Sequence, residues 1–60
     1  MILAVRKYDG AVFEHFACDG LCPVMYIRNL AGKEFIVEEK NYKLIFEDNP
    51  EYEKYIHERV

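Results

Sequence analysis

Three side chains that can bind metals or act as nucleophiles lie close together in the sequence. His15, Cys18 and Cys22 form a His-x2-Cys-x3-Cys run, and imidazole and thiolate are ligand types that zinc prefers. A structural zinc site normally has four protein ligands, and His57 is the only further His or Cys in the chain. Zinc is therefore the one candidate cofactor, and it requires the C-terminal segment to bring His57 to the cysteine turn.

The cysteines also have simpler interpretations. We favour two reduced, half-buried thiols, because free cysteine is commonly buried and the cytosol keeps thiols reduced. A disulfide across the turn from Cys18 to Cys22 is the alternative. A cysteine nucleophile with His15 as its base would also need an oxyanion site and a pocket of about 300 Å³ or more, which a domain this small rarely encloses.

Missing residue types remove other reactions. The chain has no Ser or Thr, so the common hydroxyl nucleophiles are absent. The glycines at positions 10, 20 and 32 are too widely spaced for a phosphate-binding loop. We therefore predict a protein that is not an enzyme.

Length and charge restrict the fold and the partners. Sixty residues, of which 52% are hydrophobic, predict a single domain over residues 1–60. The net charge is −3, and the acidic residues concentrate in the C-terminal half, which disfavours nucleic acid as a partner. The longest stretch without charge, residues 20–27, is far shorter than the about 20 residues of a membrane span. We expect a cytoplasmic protein without a membrane partner, since no basic segment precedes an apolar run as in a secretory signal.

Short apolar runs separated by turn residues predict five strands. Asp9-Gly10 indicates a two-residue hairpin turn with positive φ at both positions. The predicted strands occupy residues 2–8, 11–17, 23–29, 33–38 and 42–47. Asn49 as N-cap and Pro50 at the first helical position predict a helix over residues 50–60. One apolar stripe of that helix, including Tyr52 and Tyr55, should pack on the sheet.

The fold class that follows is mainly β (α+β), a five-stranded antiparallel meander with a short C-terminal helix. Several strands carry apolar residues on both faces, whereas a half-buried strand should alternate. The spare face is hidden either by curling into an SH3-like barrel or by another chain. We expect Phe46 and Tyr55 in the core and Ile36 and Ile45 on the spare face.

Two surfaces are candidates for binding. Basic and aromatic side chains on the sheet could take a small anionic ligand, and the helix could present a tyrosine with an acidic rim to a protein. Together with the spare face, the candidate binding residues are Arg6, Tyr8, Tyr26, Arg28, Ile36, Ile45 and Tyr52. The plain alternative for the charged residues is a solvated surface that keeps edge strands from aggregating.

Three functions compete. The first is a non-catalytic accessory protein that binds and modulates, by inhibition, another protein, as small proteins of phage or other mobile elements do. The second is a homo-oligomer that sequesters a nucleotide-like molecule through its Arg and Tyr residues. The third is a zinc-stabilised interaction module built on His15, Cys18, Cys22 and His57.

Overall fold

Five antiparallel strands form the sheet around which the chain folds, in a computed structural model that describes residues 1–18 and 23–60. The strands are β1 (Ile2–Arg6), β2 (Val12–Cys18), β3 (Val24–Arg28), β4 (Glu34–Glu38) and β5 (Tyr42–Ile45). A 3-10 helix (Glu39–Asn41) joins β4 to β5, and one short α-helix, α1 (Tyr52–Ile56), follows β5. The predicted mainly β fold with a C-terminal helix is therefore confirmed.

The order of the strands across the sheet is β4-β3-β2-β1-β5. The first four strands form the predicted meander, whereas β5 crosses to the far side and pairs with β1, as in the register of Leu3 with Ile45. The backbone N–H of Lys7 donates to the carbonyl of Asn41 at 2.9 Å, which fixes the start of this crossing. Among the described strands no ladder joins β4 to β5, so closure into a barrel is not confirmed.

The sheet carries one apolar cluster on each face, which explains why its strands do not alternate. The inner core consists of Ala4, Phe13, Met25, Ile27 and Tyr42. Phe13 lies at its centre, with its ring edge-to-face against Phe35 at 6.1 Å and against Tyr42 at 6.3 Å, an arrangement that aromatic rings favour. The curled sheet covers this core largely with its own side chains.

The second cluster, the helix-side core, lies on the opposite face. It consists of Leu3, Val5, Val12 and Ile45. Tyr52, Tyr55 and Ile56 of α1 pack on it, so the predicted contact between the helix stripe and the sheet is present. The helix covers mainly β1 and its neighbours, and among residues 1–18 and 23–60 no helix lies on the β3–β4 part of the same face.

The turn between β1 and β2 differs from the predicted two-residue turn. Gly10 has a φ of 77°, but Asp9 does not have a positive φ. Instead, a four-residue loop is closed by the Arg6 N–H, which donates to the Ala11 carbonyl at 2.8 Å. The Asp9 carboxylate accepts from Nε and Nη2 of Arg6 at 3.0 and 2.8 Å and from the Ala11 N–H at 3.1 Å. These side-chain bonds favour the longer loop, in which only the glycine needs the left-handed region.

The helix is also shorter than the predicted segment of residues 50–60. The Asn49 side chain accepts from the Glu51 N–H at 2.8 Å, so it closes a turn ahead of α1 instead of capping it. After α1 the chain returns to the sheet, where the Val60 N–H donates to the Val12 carbonyl at 3.0 Å. The Leu30 N–H in turn donates to the Val60 carbonyl at 2.8 Å, and these bonds replace the last helical turns.

Two apolar residues exchange their expected places. Ile45 is 0% exposed in the helix-side core, whereas Phe46 is 49% exposed. Strand β5 ends at Ile45. Phe46 lies after the strand, where the pleat of the sheet no longer directs its side chain toward the core. The expectation of a buried Phe46 and an exposed Ile45 is therefore corrected.

This exchange predicts opposite results for one substitution at two adjacent positions. Ile45→Asp buries an unpaired charge and should cost more than about 4 kcal/mol, enough to unfold a domain of this size. Phe46→Asp leaves its charge in water and should cost about 1 kcal/mol. Thermal unfolding followed by circular dichroism measures both. A folded Ile45→Asp protein would contradict the position of Ile45 beneath the helix.

The ion pair in the first turn predicts an acid-shifted carboxyl group. Hydrogen bonds from Arg6 and from the Ala11 N–H lower the pKa of Asp9 from 3.8 to about 2. Because the folded pKa is the lower one, this pair stabilises the fold above the unfolded pKa, and that contribution is lost as the pH falls toward 2. An NMR titration of the Asp9 carboxyl carbon should show its midpoint at about 2. A midpoint at the ordinary value would show that the pair does not form in solution.

Candidate functional site

Strand β4 lies at one end of the sheet order, and its hydrogen-bonding pattern shows which backbone groups face outward. The Asn29 N–H donates to the Lys33 carbonyl at 3.0 Å, and the Glu39 N–H donates to the Pro23 carbonyl at 2.9 Å. In an antiparallel pair such bonded positions alternate along the strand, so Phe35 and Val37 also direct their backbone groups toward β3. The backbone groups of the three intervening residues, Glu34, Ile36 and Glu38, therefore face away from β3.

The side chain of Ile36 stands in the middle of this outward-facing edge. It is 70% exposed, which is more than any other isoleucine, leucine or valine among the described residues. Its cross-strand neighbour on β3 is Tyr26, whose ring centroid lies 6.2 Å from that of Phe16 on β2. These three side chains form the outer stripe, which crosses three strands.

The outer stripe continues the face that α1 covers elsewhere. Glu14 pairs with Arg28 across β2 and β3, and alternation along each strand places Val12 and Tyr26 on this same face. The helix packs on Val12, whereas neither Ile36 nor Tyr26 belongs to the helix-side core. The β3–β4 half of the face is thus apolar and aromatic without a covering element among the described residues.

A β-bulge shapes the β2 end of the outer stripe. The register between β2 and β3 shifts between His15 and Ala17, so Phe16 is the extra residue. The guanidinium carbon of Arg28 lies 4.5 Å from the centroid of the Phe16 ring, a favourable cation–π contact. Phe16 is not among the predicted binding residues, because strand alternation alone does not show where a bulge occurs.

Acidic side chains flank Ile36 on the same face. Glu34 and Glu38 lie two residues before and after it, and their side chains are 62% and 57% exposed. Glu38 has Lys40 at 3.3 Å, and Glu34 has a guanidinium nitrogen of Arg28 at 3.9 Å. Exposed ion pairs of this kind contribute little to stability. This face of the edge strand therefore presents two acidic side chains around one apolar side chain.

The Arg28 guanidinium is engaged mainly by Glu14. Its Nε and Nη2 atoms donate to the two carboxylate oxygens of Glu14 at 3.1 and 3.3 Å, and the pKa of Arg28 is raised chiefly by this hydrogen bond. Glu14 also accepts from Nη2 of Arg59 at 3.5 Å. The carboxylate therefore bridges β3 to the segment after α1, and Arg28 is only partly available to neutralise Glu34.

A cavity of about 440 Å³ adjoins the other side of the β4 edge. It lies between residues 36–38 of β4 and residues 6–8 at the end of β1 and the start of the next turn, and Tyr42 at the start of β5 also lines it. Tyr8 is 83% exposed at its rim. The cavity therefore occupies the seam where the two ends of the sheet approach each other, and it can accept a side chain from a ligand that lies along β4.

The structure divides the predicted basic and aromatic surface into two parts. Arg6 and Tyr8 line the cavity, whereas Tyr26 and Arg28 lie on the helix-side face. The Arg6 guanidinium is held by Asp9, which raises the pKa of Arg6. It also stacks near the rings of Tyr8 and Phe13, at 5.1 and 5.2 Å. Because Asp9 already matches its charge, Arg6 is a weak candidate for binding a phosphate.

Two other candidate binding residues are structural. Ile45 is fully buried, and Tyr52 is half-buried where it packs on the helix-side core. Alternation along β5 could not show that α1 would cover Ile45, and this residue is removed from the binding set. Of the predicted binding residues, Ile36 is the one that both belongs to the outer stripe and lines the cavity.

The candidate zinc ligands fall partly outside the described residues. Cys22 and most of the predicted cysteine turn lie in residues 19–22, outside the described ranges. Cys18 is an exposed free thiol, not the half-buried one expected. His15, Cys18 and His57 do not form a group that could hold a metal, and within residues 1–18 and 23–60 no other His, Cys, Asp and Glu side chains do so.

None of the helices in the described residues is long and apolar enough to cross a membrane.

Comparisons with known proteins give no relative to set beside this geometry. No protein-family model, no curated protein and no solved structure matches the chain. The described residues form an acidic edge strand beside an apolar stripe and a cavity.

Proposed function

We propose that this chain is a non-catalytic accessory protein that binds another protein by adding one of that protein's extended segments to β4. The observation that carries the proposal is the 70% exposure of Ile36, at the centre of an edge whose backbone groups face outward. Natural proteins usually keep such an apolar position off an edge strand or cover it. A binding partner would supply the missing cover.

An added strand would satisfy three requirements of this edge at once. It would pair with the outward backbone groups of Glu34 and Ile36 and with the N–H of Glu38, whose carbonyl serves the 3-10 helix that follows, as in other cases of recognition by strand addition. It would shield Ile36 with side chains that lie beside it on the same face. Because successive side chains of a strand point to opposite faces, its alternate residues would enter the cavity beside Tyr42.

Modulation follows from the way such a segment is held. A segment bound as a strand is extended and has one edge occupied, so it cannot fold back or contact its usual partners. Inhibition is the effect we propose, which fits a small binding protein of phage or mobile-element type. We place this action in the cytoplasm, where an exposed thiol such as that of Cys18 stays reduced.

A nucleotide-like ligand is less well supported by the same geometry. The two arginines proposed to hold it lie on opposite faces of the sheet, and each already has a bidentate carboxylate partner. A strong phosphate site uses unmatched cationic donors directed at one point. The described residues instead offer a strand edge with an apolar centre.

A substitution at the centre of the edge tests the proposal. A library of random peptides displayed on phage is selected against the wild-type protein, and the recovered peptides are assayed against two variants. Ile36→Asp should reduce binding at least about tenfold, because it places a charge at the apolar centre of the interface. Its melting temperature should stay within a few degrees of wild type, since the side chain is exposed.

Leu30→Asp is the matched control. Leu30 is 63% exposed and lies in the turn before β4, so the change in charge and apolar surface is similar. Peptides should bind this variant as they bind the wild type. Equal loss of binding in both variants, or a library that yields no peptide for the wild type, would contradict the proposal.

A further inference from the structure

The proposed strand addition leaves open what kind of segment fits, and the charges along β4 answer that question. We infer that the partner segment carries a basic residue, any residue, an apolar residue, any residue and a second basic residue, in that order. This inference rests on the proposed function. It concerns the chemistry of the partner that the edge selects.

The pattern follows from three side chains that share one face. Glu34, Ile36 and Glu38 alternate along β4 with Phe35 and Val37, which pack against the inner core. In a paired strand, residues on one face meet partners on the same face, and opposite charges placed there attract while like charges repel. Basic side chains are therefore favoured beside the two glutamates, and an apolar one beside Ile36.

The direction of the added strand does not alter the pattern. The arrangement of two acidic residues around a central apolar one is the same when read from either end. A parallel segment and an antiparallel segment would therefore need the same alternation. The inference concerns composition and spacing, which the side chains determine, and not orientation.

The same charges disfavour a second copy of this chain as the occupant. Two β4 strands paired antiparallel about Ile36 would place Glu34 of each copy opposite Glu38 of the other. Both of these pairs are repulsive. These charges therefore disfavour pairing of β4 with β4 of a second copy, as charged residues do on natural edge strands. They favour pairing with a segment of opposite charge.

The ion-pair partners of Glu34 and Glu38 leave both carboxylates available to bind a basic segment. Lys40 is 77% exposed beside Glu38, so its flexible side chain can move away at little cost. Arg28 lies 3.9 Å from Glu34 but makes its closer bonds to Glu14. Both carboxylates are more than half exposed and can accept new cationic donors.

The residues of the segment that alternate with the basic and apolar ones would face the cavity side. Val37 and Tyr42 line the cavity there, and Val37 packs against the inner core. A β-branched apolar residue fits such a surface and favours the extended conformation. A segment with the central sequence Val-Ile-Val and basic flanks therefore serves as the probe.

Three synthetic peptides test the inference. They share Val-Ile-Val and differ only in the residue on each side of it, which is Lys in the first, Gln in the second and Glu in the third, with Gly and Ser ends for solubility. Each is titrated into the ¹⁵N-labelled protein, and the amide shifts of β4 report both affinity and location. The Lys peptide should bind about tenfold more tightly than the Gln peptide, as two favourable cross-strand charge pairs allow. The Glu peptide should bind most weakly.

A double variant and its matched control connect that preference to β4. E34Q with E38Q should reduce the preference for the Lys peptide over the Gln peptide to within about twofold, because both charge pairs are lost. E53Q with E58Q makes the same change in net charge in and just after α1 and should leave the preference unchanged. Added salt should weaken the Lys peptide selectively.

The outcomes separate the inference from the function on which it rests. Equal affinity of the three peptides at β4 would overturn the basic pattern and leave strand addition intact. Absence of β4 shifts with all three peptides would overturn both. Dimerisation of the free protein through β4 would also overturn the inference, because the edge would then have its own copy as occupant.

Discussion

The fold depends on one constraint, which is that a single sheet with two apolar faces must be covered by a chain of sixty residues. Curling of the sheet brings Phe13 against Phe35 and Tyr42 and buries the inner face without a second layer. On the opposite face α1 is the covering element among residues 1–18 and 23–60, and a helix of five residues reaches no more than part of a sheet. The β3–β4 half of that face therefore stays exposed at Ile36.

Hydrophobic pattern and turn residues predicted the elements well, because both depend on local sequence. All five strands, and a helix after Pro50, lie where these signals indicated. The details that failed depend on contacts between distant residues. The Asp9 carboxylate binds the Arg6 side chain, which favours a longer loop over the predicted two-residue turn. Strand β5 pairs with β1 rather than with its neighbour in sequence. Nothing in the local pattern of either segment carries that information.

The candidate site was predictable only in part, for a related reason. Ile36 could be identified as a spare apolar residue, but Ile45 could not be distinguished from it, because the packing of α1 on Ile45 is a contact between separate segments. Glu34 and Glu38 carried a readable signal, because charges that flank a short apolar strand are typical of an edge. The cavity is lined by residues of three separate segments, and their approach depends on contacts between distant parts of the chain.

The bond between residues 30 and 60 has a consequence for the order in which the protein is made. The turn that leads into β4 is tied through the Leu30 N–H to the carbonyl of Val60, and Val60 is tied to Val12 of β2. Arg59 adds a contact to Glu14 on the same strand. The turn before β4 therefore gains its last hydrogen bonds only after residue 60 has left the ribosome. A nascent chain could pair β4 with β3 before that point, and the bonds of Val60 to Leu30 and Val12 would then form in a late step.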